Sequence, residues 1–202
     1  MQSAPAAGPI SLIYRPRCWV ERLSLSAMFG QVQPLEVELG SGDGSFLAQW
    51  AAAYPDRNCL GVERLLGRLR KLDRKAQRAR LANVRLMRIE AAYFLEYLLP
   101  PRSVSTLHVY FPDPWPKRKH RRHRLINDRF PELASRVLVP QGAVYLRTDD
   151  ADYFAQMREV FAADQRFRLV ETPEVLASTI TDFEREFQAR GVATLRAAFQ
   201  LD

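Results

Sequence analysis

LEVELGSGDGS, residues 35–45, decides the fold. Leu35, Val37 and Leu39 point to one side and Glu36 and Glu38 to the other, which is the period of a strand. Gly40, Gly42 and Gly44 follow at once. Glycine reaches positive φ at little steric cost, so this spacing predicts a tight turn with the backbone open to a ligand. Phe46, Leu47, Trp50 and Ala51 then recur at helical spacing as far as Tyr54. The glycines therefore lie on a strand-to-helix turn, and in open α/β sheets that rim is where ligands bind.

Working outward, the alternation continues. Cys59–Val62 reads as a second strand ending in Glu63, and Leu65–Leu81 as a long helix with Leu65, Leu69, Leu72, Ala76 and Ala79 on one stripe. The remaining faces of that helix carry Arg64, Arg68, Arg70, Lys71, Arg74, Lys75, Arg78 and Arg80. Whether they are a solvated surface or a contact for a partner stays open. Val84–Ile89 is a third strand, followed by Glu90 and a short helix through Leu99. Thr106–Phe111 is the fourth. Asn127 can cap a helix containing Phe130, Leu133 and Val137. Pro140-Gln141-Gly142 reads as a turn into a fifth strand, Ala143–Arg147. Tyr153–Phe161 is a helix, Phe167–Val170 a sixth strand, and Val192–Leu201 a seventh. Alternating strands and helices predict an α/β fold, a doubly wound and mostly parallel seven-stranded sheet with an antiparallel last strand.

That topology would bring Glu38, Glu63, Glu90, Asp113 and Asp149 to one rim, because each falls at or just after a strand end. Unpaired carboxylates repel and raise one another's pKa, so such a gathering implies a ligand bearing positive charge and hydroxyls. A dinucleotide fits poorly. Its pyrophosphate would meet Glu38 and Glu90, and the third glycine of its fingerprint would fall at 45, which is Ser45. The sulfonium and α-ammonium of S-adenosylmethionine fit better.

The second decisive stretch is VYFPDPWPKRKHRRHRL, residues 109–125. Pro112, Pro114 and Pro116 end the strand and stiffen its exit, since proline has no N–H and a fixed φ. Between them sit Asp113 and Trp115. A basic run follows, and with a formal net charge of +7 for the 202-residue chain it points to a polyanionic partner. Cys18 and Cys59 match no metal or redox spacing, which fits a reducing cytoplasm. Neither a signal peptide nor a membrane-spanning apolar run is expected. Residues 1–33, with Pro5, Pro9 and Pro16, read as a flexible arm ahead of one domain, 34–202.

With these residues in view, the chain resembles the bacterial tRNA (guanine-N7)-methyltransferases, Rossmann-like class I enzymes that use S-adenosyl-L-methionine. LEVELGSGDG, LGVER and LRTDD are similar to motifs of that family. TDFEREFQARG resembles its C-terminal segment, and FPDPWPKRKHRRHRL its most specific signature, FxDPWxKxxHxKRR. The resemblance covers roughly Leu35 to Phe199. It implies that Glu38, Gly40, Gly42, Glu63, Glu90, Ala91 and Asp113 hold the methyl donor, with Asp113 catalytic. It implies that Lys117, Asp149, Thr181, Asp182, Phe183 and Glu184 hold the nucleotide, and that Lys119, His120, Arg121, Arg122, His123 and Arg124 meet tRNA. Two positions depart from the pattern: Glu90 replaces Asp or Asn, and Arg122-His123-Arg124 replaces Lys-Arg-Arg. No obligatory protein partner is implied, only a monomer or homodimer. Two other readings are a methyltransferase of this fold acting on an amino group of adenine or protein, and a non-catalytic RNA-binding module.

Overall fold

Strand β1 (Leu35–Leu39) is buried along its whole length, glutamates included. It forms the middle of a sheet in a computed structural model that describes residues 11–202. The other strands are β2 (Asn58–Val62), β3 (Val84–Met87), β4 (Val104–Tyr110), β5 (Leu138–Thr148), β6 (Phe167–Val170) and β7 (Leu195–Leu201), in the order β3-β2-β1-β4-β5-β7-β6. β1 pairs in parallel with β2 and β4, as do β2 with β3 and β4 with β5. β7 inserts between β5 and β6, antiparallel to both. The expected doubly wound sheet with an antiparallel last strand is what forms.

Helices cover both faces. On one lie α1 (Leu25–Phe29), α4 (Ala91–Tyr93, continuing as a π-helical turn, Phe94–Leu98), α5 (Phe130–Val137) and α6 (Ala151–Ala162). Their apolar side chains meet Leu35, Val37, Leu39, Leu107 and Val109 in the larger core. On the other, α2 (Leu47–Ala53), α3 (Leu66–Arg78) and α7 (Glu174–Ser178) enclose Phe46, Trp50, Leu69, Leu72, Tyr110 and Leu176. Fully burying one such leucine contributes roughly 1.5–3 kcal/mol. A last helix, α8 (Asp182–Ala189), precedes β7.

Because the sheet is covered twice, the polar side of β1 is buried too. Glu36 accepts hydrogen bonds from Trp50 Nε1 (2.7 Å), His108 Nε2 (2.8 Å) and Arg57. Burial works against its charge, but the hydrogen bonds from His108 and Arg57 outweigh it and hold the pKa at about 2. Burial pushes His108 toward its neutral form. In that form it donates from Nε2 to Glu36 and accepts from the Tyr110 hydroxyl at Nδ1, 2.9 Å away.

Two expectations need correction. Pro140-Gln141-Gly142 is not a turn between elements but a bulge within β5, where Leu138 and Ala143 pair with Val104 and Thr106. Gln141 takes up the extra length at φ 63°. The flexible arm is also not free where it is described, its first ten residues lying outside that range. Ser11 Oγ and the Leu12 N–H donate to Asp73 at 2.8 and 2.9 Å, and Leu12 and Tyr14 exchange backbone hydrogen bonds with Leu86. The segment thereby covers the exposed edge of β3, which would otherwise offer unpaired backbone groups. Arg22 and the Leu23 N–H then donate to Leu99 and Leu98 carbonyls at the end of the π-helical turn.

Candidate active site

The glycine turn is built as its sequence requires. Gly40, Gly42 and Gly44 have φ of 83°, 54° and 79°. A Cβ at Gly44 would lie 2.0 Å from the Leu72 side chain, so only glycine lets the turn rest on α3. At Gly40 a Cβ would meet nothing within 4 Å, leaving the backbone open to a ligand. Glu63, at the end of β2, fastens this turn. Its carboxylate accepts from the Gly42 N–H at 3.1 Å and the Leu65 N–H at 2.7 Å.

Gly40 and Glu63 line a cavity of about 450 Å³ together with Glu90, Ala91 and Asp113, a size usual for a small-molecule site. Leu39, Val62, Ile89, Tyr110, Phe111 and Leu125 supply apolar wall, and Trp115 and His123 also face the space. Glu90 lies on the wall while its oxygens accept from the Ala92 and Tyr93 N–H groups at 2.9 and 2.7 Å, capping α4. Asp113 is exposed and has no hydrogen-bond partner among the described residues.

Glu38 sits behind the wall rather than on it. It is 4 % exposed, and its Oε2 is buried without a hydrogen-bond partner among the described residues. Burial raises its pKa well above the usual 4.5; Arg147 opposes that rise, while Glu63 and Asp43 add to it. A carboxyl with a raised folded pKa contributes stability that is complete below its unfolded value and lost as pH climbs through the folded one. The wild-type thermal midpoint should therefore fall as pH rises above about 4.5 relative to that of Glu38→Gln, which has no such ionisation. Parallel pH profiles for the two proteins would show that Glu38 does not ionise in this way.

The Asp113 loop is strained and then locked. Phe111 and Trp115 have φ of 51° and 44°, uncommon for bulky residues. Arg124 holds the loop: Nε donates to the Pro114 carbonyl at 2.7 Å, and the two terminal nitrogens donate to Gln156 (2.7 Å) and Asp152 (2.6 Å). The guanidinium lies 4.6 Å from the Tyr153 ring centroid, and the residue is 1 % exposed. This corrects the assignment of Arg124 to RNA contact, because every face of the side chain is already used within the fold. Lys117 is exposed at the N-cap of a 3₁₀ helix over Arg118–His123, on which Lys119, Arg121, Arg122 and His123 are exposed and His120 half-buried. Trp115 lies 5.2 Å from the His123 ring and 5.9 Å from His120.

The residues expected to hold the nucleotide divide. Lys117 and Asp149 are exposed near the rim. Phe183 is half-exposed with its ring 6.3 Å from Phe111, which lines the cavity. Asp182 is paired with Arg185 on the surface. Thr181 and Glu184 form a capping box on α8. Glu184 is fully buried, accepting from Arg147 and Arg196 at 2.8 Å each and from the Thr181 N–H at 2.9 Å. Its oxygens face these donors and not the cavity, which corrects its placement among the nucleotide contacts. Arg147 went unrecognised as a site residue. Its guanidinium lies 4.1 Å from the Tyr110 ring centroid, between Glu184 and the field of Glu38. Strand alternation from Ala143 and Tyr145 would have placed it on that face.

A family described as "Putative methyltransferase" matches residues 32–197. A tRNA (guanine-N(7)-)-methyltransferase of Syntrophotalea carbinolica is 34% identical over 170 residues, covering 82% of this chain and 73% of that protein. One of Halorhodospira halophila is 39% identical over 145 residues, covering 72% and 63%. Among solved structures, the 16S rRNA methyltransferase KamB superposes with a TM-score of 0.63 at 17% identity, covering 88% of this chain and 92% of that one. That likeness concerns the fold. The sequence relationship carries further: the chain belongs to the tRNA (guanine-N7)-methyltransferase family.

Proposed function

We propose that this protein transfers a methyl group from S-adenosyl-L-methionine to N7 of a guanosine in tRNA, in the variable loop, leaving 7-methylguanosine. The observation that carries the reading is convergence. Glu63, Glu90 and Asp113 follow three different parallel strands and line one cavity beside an open glycine turn. The buried Glu38 oxygen behind that turn has no partner among the described residues, and a cationic ligand bound in front of it would draw that carboxyl toward its charged form.

When bound, the donor would supply a methyl group on a cationic sulfur, which would keep the C–S electrons as the N7 lone pair takes the methyl. Guanine N7 carries no proton, so the protein needs no strong base. Its work is alignment and electrostatics. Glu63 spends one lone pair of one oxygen on the glycine turn and one of the other on the Leu65 N–H, and keeps the rest for a ribose diol. Asp113, unpaired at the mouth, faces the positive charge that moves onto the purine. Asp149 is an acceptor for N1–H and the exocyclic amine, Lys117 a donor to the nucleotide, and Trp115 with His123 a flat surface for a base. Exposed cations from Lys119 to His123 meet the tRNA backbone. Among the described residues no helix is long and apolar enough to cross a membrane, and the two cysteines are free. We place the protein in the cytoplasm, as monomer or homodimer.

The test is mass spectrometry of nucleosides from unmodified tRNA incubated with protein and donor. 7-Methylguanosine is expected. A methylated adenine, or a modified protein instead of RNA, would redirect the reading, and no methyl transfer would end it.

A further inference from the structure

We infer that α3 is a second tRNA-binding surface, a row of cations that engages the substrate's backbone away from the target nucleotide. The inference rests on the tRNA reading above. Arg68, Lys71, Lys75 and Arg78 follow one another at i, i+3, i+7 and i+10 along the helix, the spacing of one helix face, and Arg64 stands just before its start. Arg70 and Arg74 flank them. The opposite face, with Leu69, Leu72 and Ala76, is buried.

Nine of this chain's 26 arginines have carboxylate partners. Arg57, Arg121, Arg124, Arg129, Arg147, Arg166, Arg168, Arg185 and Arg196 each lie in an ion pair. Among the described residues, no ion pair reaches any cation of α3. The helix's one acid, Asp73, turns inward to hold Ser11, Leu12 and Gln77.

A merely solvated helix would not be built this way. Like charges at i, i+4 repel and weaken a helix. Arg68, in a first turn without acids, also opposes the helix dipole, whereas Lys75 and Arg78 in the last turn suit it. The row's charge is not taken up by any carboxylate among the described residues and is left for something outside the fold. Its position says what. Arg64 and Leu65 line the catalytic cavity, so the row begins at the mouth and runs outward for about 20 Å. The 117–123 segment leaves the same mouth from the other side of β1, since β2 and β4 flank that strand. A polyanion whose reactive base enters between them lies against both.

The test compares wild type with a variant carrying Arg68→Gln, Lys71→Gln, Lys75→Gln and Arg78→Gln. A control has the same loss of charge elsewhere: Arg102→Gln, Arg158→Gln, Arg166→Gln and Arg168→Gln. Binding of unmodified tRNA is titrated over a range of salt. The α3 variant should bind about 10- to 100-fold more weakly, with a salt slope shallower by roughly two to four units. Its kcat at saturating tRNA and its affinity for S-adenosylmethionine should be unchanged, and its thermal midpoint close to that of the wild type. The control should lose far less affinity. Equal losses in the two variants would mean that net charge alone matters and would overturn the inference. So would unchanged tRNA binding, including the case in which the α3 variant instead loses binding to phosphatidylserine vesicles. Absence of 7-methylguanosine with the wild-type protein would count against the activity, whereas the binding comparison stands or falls separately.

Discussion

Truncating Asp113 to alanine should lower kcat by about 10²- to 10³-fold while leaving the thermal midpoint unchanged. The two halves of this result have different origins. Asp113 is exposed and carries no hydrogen bond to the fold among the described residues, so its loss leaves no stranded partner. The loop around it is held by prolines and by Arg124 through the Pro114 carbonyl, neither of which the substitution touches. Its carboxylate nevertheless lines the cavity, where the proposed transfer would pass positive charge from sulfur to the purine. Charge fixed in place before reaction stabilises that passage without reorganisation. Asp113→Asn separates charge from shape. If the negative charge matters, asparagine falls nearly as far as alanine; if the group only orients the base, asparagine recovers most of the rate. Near-normal turnover of Asp113→Ala at saturating tRNA and donor would remove this residue from the mechanism.

Much of this site is legible in the sequence because backbone constraints write themselves in residue types. The positive φ at Gly40 and Gly44 and the contact of Gly44 with Leu72 admit only glycine. Acids at the ends of β2 and β4 can be placed once the strands are found. What stays hidden is the partner of each polar side chain. The Leu-Glu-Val-Glu-Leu alternation is that of a strand with one wet face, yet both faces of β1 are dry, because α2 covers the glutamates. Arg124 belongs by composition to the cationic run, but it comes one residue after the 3₁₀ helix and turns inward under Pro114. Glu184 reads equally well as a nucleotide acceptor and as a capping residue. Only Arg147 and Arg196, distant in sequence, decide between them.

Glu184 gives the other large expected effect, and it falls on the fold. Removing its carboxylate leaves Arg147, 1 % exposed, as a buried cation with only the carbonyls of Leu176 and Thr179 as acceptors. Breaking such a pair from one side costs on the order of 3–5 kcal/mol, most of it the penalty on the partner left behind. Glu184→Ala should therefore lower the thermal midpoint by roughly 10 °C in a protein of this size. It also releases the N-terminus of α8, since the Thr181 N–H loses its acceptor. Methylation should fall with the fold. Arg147→Met combined with Glu184→Leu removes the two fully buried charges and leaves Arg196, whose side chain is 28 % exposed, to reach water. It should recover much of the lost midpoint, because similar apolar side chains often replace a buried pair at little cost. If the carboxylate serves only to hold α8 and its Phe183 against Phe111, methylation returns in this double variant along with stability. A Glu184→Ala protein with a wild-type midpoint and a raised KM for tRNA would overturn that account. Glu184 would then be an acceptor for the nucleotide, and the two arginines would tolerate solvation in its absence.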